Sequence, residues 1–173
     1  MTATASLFTL RPPGPSDRSR VGEIVRATGV FHPQEETIAL EVFDSAVAKP
    51  GVDYHALGAY DDLGLLLAFA CYGSTPCTEA TWDLYWIAVD PAGHRRGVGR
   101  ALMEAAERAI ALAKGRLVVV ETSSRPEYGP TRAFYEALAY RATACIPDFY
   151  AAGDDLIVYT KQLVLQGRER PHG

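Results

Sequence analysis

One stretch of the chain, residues 82–114, constrains the fold most, because it passes from a strand-like run through a basic, glycine-rich turn into a helix-like pattern. Residues 82–89 are apolar and aromatic and predict a buried strand, which ends at Pro91 because proline supplies no ladder donor. Apolar residues then recur at helical spacing and predict an amphipathic helix. They are Val98, Leu102, Ala105, Ala109 and Leu112. Lys114 and Gly115 are typical of a helix C-terminus.

The basic turn, defined here as residues 94–100, joins this strand to this helix. The first amides of a helix have no partner inside it and, together with the helix dipole, attract anions. Gly97 and Gly99 carry no Cβ, so a phosphate group can approach the backbone closely. Positive charge is added by Arg95, Arg96 and Arg100. The turn therefore predicts a pyrophosphate site.

Two well-known phosphate motifs do not fit this turn. No Gly-Lys-Ser/Thr follows, as a P-loop requires, and the glycine spacing differs from G-x-G-x-x-G. A basic helix N-terminus within an ordinary strand–helix–strand crossover is the structural alternative for the same residues.

Composition indicates one globular domain. The chain has 173 residues, of which 48% are hydrophobic and 22% charged. A net charge of −4 argues against a general partner among nucleic acids or anionic membranes. The three cysteines lack C-x-x-C spacing, so we expect neither a disulfide framework nor a metal site. With no leader-like or membrane-spanning run, we expect a cytoplasmic protein.

The remaining pattern predicts an α/β fold. Strands are expected at residues 6–11, 55–60, 65–72, 116–122, 140–146 and 156–163, and further helices at 16–28, 33–50 and 130–138. The order β-α-α-β-β-β-α-β-α-β-β predicts a mixed central sheet with helices on both faces. The domain spans residues 1–173 with a core at about 6–163, and the tail 164–173 is expected to be mobile.

Residues around the basic turn resemble the signature of the GNAT superfamily of N-acetyltransferases. That signature is Gln/Arg-x-x-Gly-x-Gly/Ala after a strand ending in Val-x-Pro, and here residues 89–91 read Val-Asp-Pro and residues 94–99 read His-Arg-Arg-Gly-Val-Gly. His94 departs from the family's Gln or Arg. Residues 133–140 resemble a second motif, F-Y-x-x-x-G-F, with Ala139 and Tyr140 replacing Gly-Phe. The predicted element order is also that of the three-layer GNAT fold.

The resemblance implies acetyl-CoA as cosubstrate and no metal. Ligands of open α/β sheets bind at the carboxyl ends of parallel strands, here residues 87–89 and 122–125. In the family the pantetheine arm pairs with the backbone of the first of these strands, and the turn binds the pyrophosphate. The implied cofactor-binding residues are Ile87, Ala88, Val89, His94, Arg95, Arg96, Gly97, Val98, Gly99, Arg100 and Tyr135.

Acetyl transfer to an amine needs a free amine, a stabilised oxyanion and a proton for the departing thiolate. The resemblance assigns the oxyanion to the Val89 amide and the proton to Tyr135, whose alternative role is that of a core tyrosine. The family often carries a glutamate where Tyr85 stands. Asp83 lies on the same strand face, about 13 Å from Ile87, so it would act as base through water. A structural role for the Asp83 carboxylate and a phenolic relay by Tyr85 remain open.

These observations predict an acetyl-CoA-dependent N-acetyltransferase that acts on a primary amine of a small molecule or peptide by direct attack in a ternary complex. A non-catalytic acyl-CoA-binding sensor is the alternative, since Tyr85 replaces the family's glutamate. A bare α/β scaffold without affinity for CoA is a third hypothesis. Homodimers are common in the family, and the sequence leaves the oligomeric state, the acceptor amine and the exact acyl group open.

Overall fold

The structure is a computed structural model and describes residues 8–163. Within that range lie seven strands and four helices. The strands are β1 (Thr9–Arg11), β2 (His55–Tyr60), β3 (Leu66–Ser74), β4 (Thr81–Val89), β5 (Leu117–Ser123), β6 (Arg141–Ala151) and β7 (Asp154–Gln162). The helices are α1 (Arg18–Ala27), α2 (Pro33–Ala48), α3 (Val98–Leu112) and α4 (Gly129–Ala137).

The predicted element order and α/β class are confirmed. The strands form a mixed sheet in the order β1-β2-β3-β4-β5-β7-β6. The beginning of the predicted first strand and the tail 164–173 lie outside the described residues. The described chain divides into two compact units, one of residues 8–73 and 84–106 and one of residues 74–83 and 107–163. The expectation of a single domain stays a prediction.

The first unit contains antiparallel strands β1, β2 and β3, with β2 and β3 joined by a tight turn. The Asp61 carboxylate stabilises that turn by accepting hydrogen bonds from the amides of Leu63 and Leu65, at 3.0 and 2.8 Å. On one face, α1 and α2 pack against Phe69 and Cys71 of β3. On the other, the beginning of α3 packs against the alternate residues of the strands. Helices therefore cover both faces of this part of the sheet.

The buried face of α3 differs from the predicted one. Leu112 is 83% exposed, whereas Met103, Ala106 and Ile110 are buried together with Val98 and Leu102. The predicted stripe was centred on Ala105 and Ala109, which have little side-chain surface to bury. The helix instead turns its longer Met103 and Ile110 side chains inward, where each contributes more to the hydrophobic effect. In α2, Ala39, Phe43 and Ala46 are buried, whereas Ile38 is 51% exposed.

The C-terminus of α3 also differs in detail. Lys114, at φ +64°, takes the left-handed position that Gly115 was expected to fill. The Gly115 amide donates to the Ile110 carbonyl at 2.8 Å and the Lys114 amide to Ala111 at 3.0 Å, which is a Schellman cap. Glycine is required at position 115 for a steric reason and not for its backbone conformation. A Cβ there would clash with Ile110 Cγ2 and lie 2.7 Å from Trp82 Nε1.

The second unit is built on antiparallel strands. β7 pairs with β5 along its whole length and with β6 on its other side. The connection after β5 forms a short 3₁₀ turn, Pro126–Tyr128, before α4 begins. Every residue of β6 is exposed.

We expect Gly115→Ala to destabilise the protein by about 2 kcal/mol, because the added methyl group overfills the contact with Ile110 and Trp82. Urea unfolding followed by circular dichroism measures the change. Gly129→Ala is the matched control. Gly129 has helical angles and only Arg132 Nη2 near its Cβ position, at 3.9 Å, so this variant should be neutral or slightly stabilised. Equal stability of the two variants would contradict the packing role of Gly115.

Candidate functional site

The end of β4 has apolar side chains that are committed to the core. Ile87 and Val89 pack with Val98 and Leu102 at the start of α3. Ala88 faces the opposite side and packs among residues of α1, α2 and β3. What these three residues can offer a ligand is therefore their backbone, in keeping with the role expected for them.

A short 3₁₀ turn, Pro91–Gly93, follows β4 and is fixed by Asp90. The Asp90 carboxylate accepts a hydrogen bond from the Ala92 amide at 2.8 Å, and the Asp90 carbonyl accepts one from the Gly93 amide at 2.7 Å. The Asp90 amide donates to the Leu67 carbonyl of β3 at 2.8 Å. Gly93 is buried, and a Cβ there would lie 3.3 Å from Val89 Cγ1. The chain therefore enters the basic turn from a well-defined position.

Within the basic turn the backbone is left-handed at two residues, Arg95 at φ +59° and Gly97 at φ +75°. The first regular bond of α3 runs from the Ala101 amide to the Gly97 carbonyl at 3.0 Å, so the amides of Val98 and Gly99 precede the helical ladder. A Cβ on Gly97 would meet no atom within 4 Å. Open space thus lies beside a helix N-terminus, which is the arrangement that binds phosphate.

The charged side chains of the turn are exposed to solvent. Arg95, Arg96 and Arg100 are all exposed, and one Arg100 nitrogen lies 3.6 Å from a carboxylate oxygen of Glu104. His94 lies with its Nε2 atom 3.2 Å from the Val89 carbonyl oxygen. The sequence did not predict this contact, by which His94 connects the turn back to the strand that precedes it.

The two base candidates on β4 have different surroundings. Asp83 accepts a hydrogen bond from the Thr75 hydroxyl at 2.6 Å. Tyr85 is 39% exposed, and its ring meets the Tyr54 ring edge-on with centroids 5.0 Å apart. Thr75 was missed by the sequence reasoning because it lies in a connection with no periodic pattern. Its amide bonds the Thr81 carbonyl at 2.8 Å, which fixes the hydroxyl beside the strand.

Tyr135 is 4% exposed and lies in a cluster of tyrosines. Its ring centroid is 5.9 Å from those of both Tyr140 and Tyr159. Burial raises the pKa of the Tyr135 phenol above its ordinary value, so the hydroxyl keeps its proton at neutral pH. The phenol can therefore donate a hydrogen bond, whereas its raised pKa makes it a weaker acid than an ordinary tyrosine.

The end of β5 carries a buried polar side chain, Thr122. Thr122 is 5% exposed, and its hydroxyl oxygen has no hydrogen-bond partner among the described residues. The adjoining loop is fixed by Arg132, whose guanidinium donates to the carbonyls of Ser123 and Arg125 at 2.6 and 3.0 Å. Burying a hydroxyl group without a hydrogen bond lowers the stability of a protein, so the Thr122 hydroxyl is a candidate contact for a polar group of a ligand.

Among residues 8–163, no group of three or more His, Cys, Asp and Glu side chains is placed to hold a metal ion. In the same range, every helix is too short or too polar to cross a membrane.

Comparisons with known proteins agree with this geometry. A family model described as the acetyltransferase (GNAT) domain matches residues 53–142. The crystal structure of a GNAT-family protein from Desulfovibrio desulfuricans is 40% identical, with a TM-score of 0.85 over 90% of this chain and 98% of that one. YncA of Salmonella typhimurium, solved with its cofactor acetyl-CoA, is 17% identical, with a TM-score of 0.71 over 96% of this chain and 98% of that one.

The family match covers more than half of the chain, and so the protein belongs to the GNAT acetyltransferases. A mycothiol acetyltransferase from Segniliparus rotundus is 28% identical over 138 residues, which is 76% of this chain. This chain spans about half the length of that relative, 50%.

Cys71 should be unreactive in the folded protein, because it lies in the strand core and burial raises its pKa to about 12. This argues against a thiol nucleophile at that position. Cys77 and Cys145 are exposed. Titration with Ellman's reagent should therefore modify two thiols of the native protein and the third only after unfolding in guanidinium chloride. In a Cys77→Ser/Cys145→Ser variant the native reaction should disappear, and a rapid reaction there would show that Cys71 is accessible.

Proposed function

We propose that this protein is an acetyl-CoA-dependent N-acetyltransferase that acts on a primary amine of a small molecule or peptide. The observation that carries the proposal is the basic turn. Its left-handed backbone, the open space beside Gly97 and the leading amides of α3 fit a pyrophosphate, and three arginines surround them. Bound acetyl-CoA would supply the activated acyl thioester.

The residues of the turn would hold the cosubstrate by its phosphates. The amides of Gly97, Val98 and Gly99 would donate to phosphate oxygens, with Arg95, Arg96 and Arg100 providing positive charge and His94 bracing the turn against β4. The backbone of Ile87, Ala88 and Val89 would pair with the pantetheine arm. The core packing of their side chains supports this role, because it leaves the backbone as their ligand surface.

Three groups would serve the chemistry. The Val89 amide would stabilise the oxyanion formed when the amine attacks the thioester carbonyl. The buried Tyr135 hydroxyl would hydrogen-bond the departing sulfur and supply its proton. Asp83, held by the Thr75 hydroxyl, would accept a proton from the acceptor amine through water, with Tyr85 as the alternative relay. Attack would be direct, since Cys71 is unsuited to carry the acyl group.

Two of the similar proteins suggest which kind of amine this protein acetylates. The similarity to a mycothiol acetyltransferase favours an amine on a small molecule, and the E. coli enzyme that acetylates alanine of ribosomal protein S18 shares the fold at 20% identity. All three cysteines are free thiols, which favours the reducing cytoplasm as the compartment.

A non-catalytic acyl-CoA-binding protein is the second candidate. It is favoured by Tyr85, which stands where the family often carries glutamate and whose ring packs against Tyr54. Tight binding of acetyl-CoA without turnover over a broad panel of small amines and peptides would support it over the enzyme.

Gly97→Ala should weaken binding of CoA by about tenfold or more, because the new methyl group fills the space proposed for a phosphate oxygen. Isothermal titration calorimetry measures the affinity. Gly64→Ala is the control for backbone strain. Gly64 has φ +80° and nothing within 4 Å of its Cβ position, but it lies in the turn between β2 and β3. Equal losses in both variants, or none in either, would contradict the proposed phosphate site.

Tyr135→Phe should lower kcat by about a hundredfold without changing the affinity for CoA, since it removes only the proton donor. Steady-state release of CoA with an accepted amine measures this. Tyr140→Phe is a control from the same cluster, since the Tyr140 hydroxyl bonds Glu107 at 3.0 Å. That variant should lose stability but keep its turnover. A Tyr135→Phe enzyme with wild-type kcat would show that the phenol is structural.

A further inference from the structure

Asp90 connects three parts of the first unit. It follows Val89 at the end of β4, its amide bonds the Leu67 carbonyl of β3, and one carboxylate oxygen accepts from the Ala92 amide in the turn. The other carboxylate oxygen accepts from Arg20 Nη2 at 2.7 Å. Asp90 is therefore placed to fix where the backbone leaves the sheet toward the basic turn.

Arg20, on α1, is held in one orientation by several contacts. Besides Asp90, its Nε donates to the Leu66 carbonyl of β3 at 3.0 Å, and Nη1 donates to Glu23 at 3.0 Å. The side chains of Arg20 and Asp90 are 22% and 13% exposed, so the pair is partly shielded from water. Removing one partner from such a pair leaves the other charge poorly compensated.

The basic turn depends on outside support for its shape. A left-handed non-glycine residue such as Arg95 costs about 1–2 kcal/mol and persists only where its surroundings determine it. Gly97 removes steric cost from a second left-handed position but lets the chain sample many others. The segment between Asp90 and α3 would lose its fixed starting point if Asp90 lost its ion pair.

We propose that the Arg20–Asp90 pair is a positioning device that holds the basic turn in the conformation that binds acetyl-CoA. The proposal rests on the proposed function and adds to it a residue of α1 that belongs to neither sequence motif. When the competent conformation is only partly populated, the apparent affinity falls by the populated fraction. Loss of the pair therefore weakens acetyl-CoA binding and raises its KM. At saturating acetyl-CoA the turn is ordered by the ligand, and kcat is retained.

Arg20→Met tests this, with Arg18→Met as the matched control. Arg18 also lies on α1 and also pairs with an aspartate, Asp44 at 2.9 Å, but the two side chains are 53% and 45% exposed. We expect the KM for acetyl-CoA and the calorimetric Kd for CoA to rise about tenfold in Arg20→Met, with kcat within about twofold of wild type. Arg18→Met should match the wild type in all three values, because exposed pairs contribute little.

Hydrogen–deuterium exchange gives a readout independent of activity. In ligand-free Arg20→Met, the amides of residues 92–100 should exchange faster than in the wild type, while those in the middle of α3 keep their protection. Added CoA should remove this difference from the wild type. If Arg20→Met fails to fold, Asp90→Asn replaces it, since asparagine keeps an oxygen for the Ala92 amide and loses the charge that pairs with Arg20.

The outcomes separate this inference from the proposed function. Wild-type protein that does not bind CoA overturns both. Wild-type binding with an unchanged Kd and KM in the folded Arg20 or Asp90 variant overturns the positioning role alone. A fall in kcat as large as the rise in KM also overturns the positioning role, and so does faster exchange throughout the first unit. In either case a general structural defect would explain the weaker binding of CoA.

Discussion

The junction between β4 and α3 is the constraint on which the rest of the account depends. The chain must leave a partly buried strand, pass through two left-handed residues and begin a helix within a few residues. Val98 and Leu102 bury the start of α3 against Ile87 and Val89, so strand and helix hold the turn from both ends. The strain at Arg95 is thus sustained by packing on either side of it.

This arrangement would allow an acidic protein to bind an anion at one place on its surface. The net charge of −4 gives no general attraction for phosphates. In the proposed site the attraction is local and comes from backbone amides at a helix N-terminus and from the exposed arginines of the basic turn. Because the side chains of Ile87, Ala88 and Val89 pack in the core and their proposed ligand contacts are made by the backbone, substitutions among apolar residues of similar size there should leave the proposed site intact.

The sequence predicted this junction well because its signals are local. Proline and glycine mark the ends of elements, and the alternation of strand and helix patterns determined the element order and the site of the turn. The prediction of which face of α3 is buried was wrong. In an alanine-rich helix more than one face is apolar, and the face with the larger side chains is the one that is buried.

Contacts between residues that are far apart in the sequence could not be predicted. Arg20 and Asp90 are 70 residues apart, and no spacing rule links them. The bond from Thr75 to Asp83 likewise depends on how an irregular connection folds.

The central claim is that the amides at the start of α3 bind the phosphates of CoA. It is tested most directly by recording amide chemical shifts of ¹⁵N-labelled protein while CoA is added. The account predicts saturable shifts that are largest at Gly97, Val98 and Gly99 and small in the turn between β2 and β3. Saturable shifts centred elsewhere, or no shifts at millimolar CoA, would contradict it.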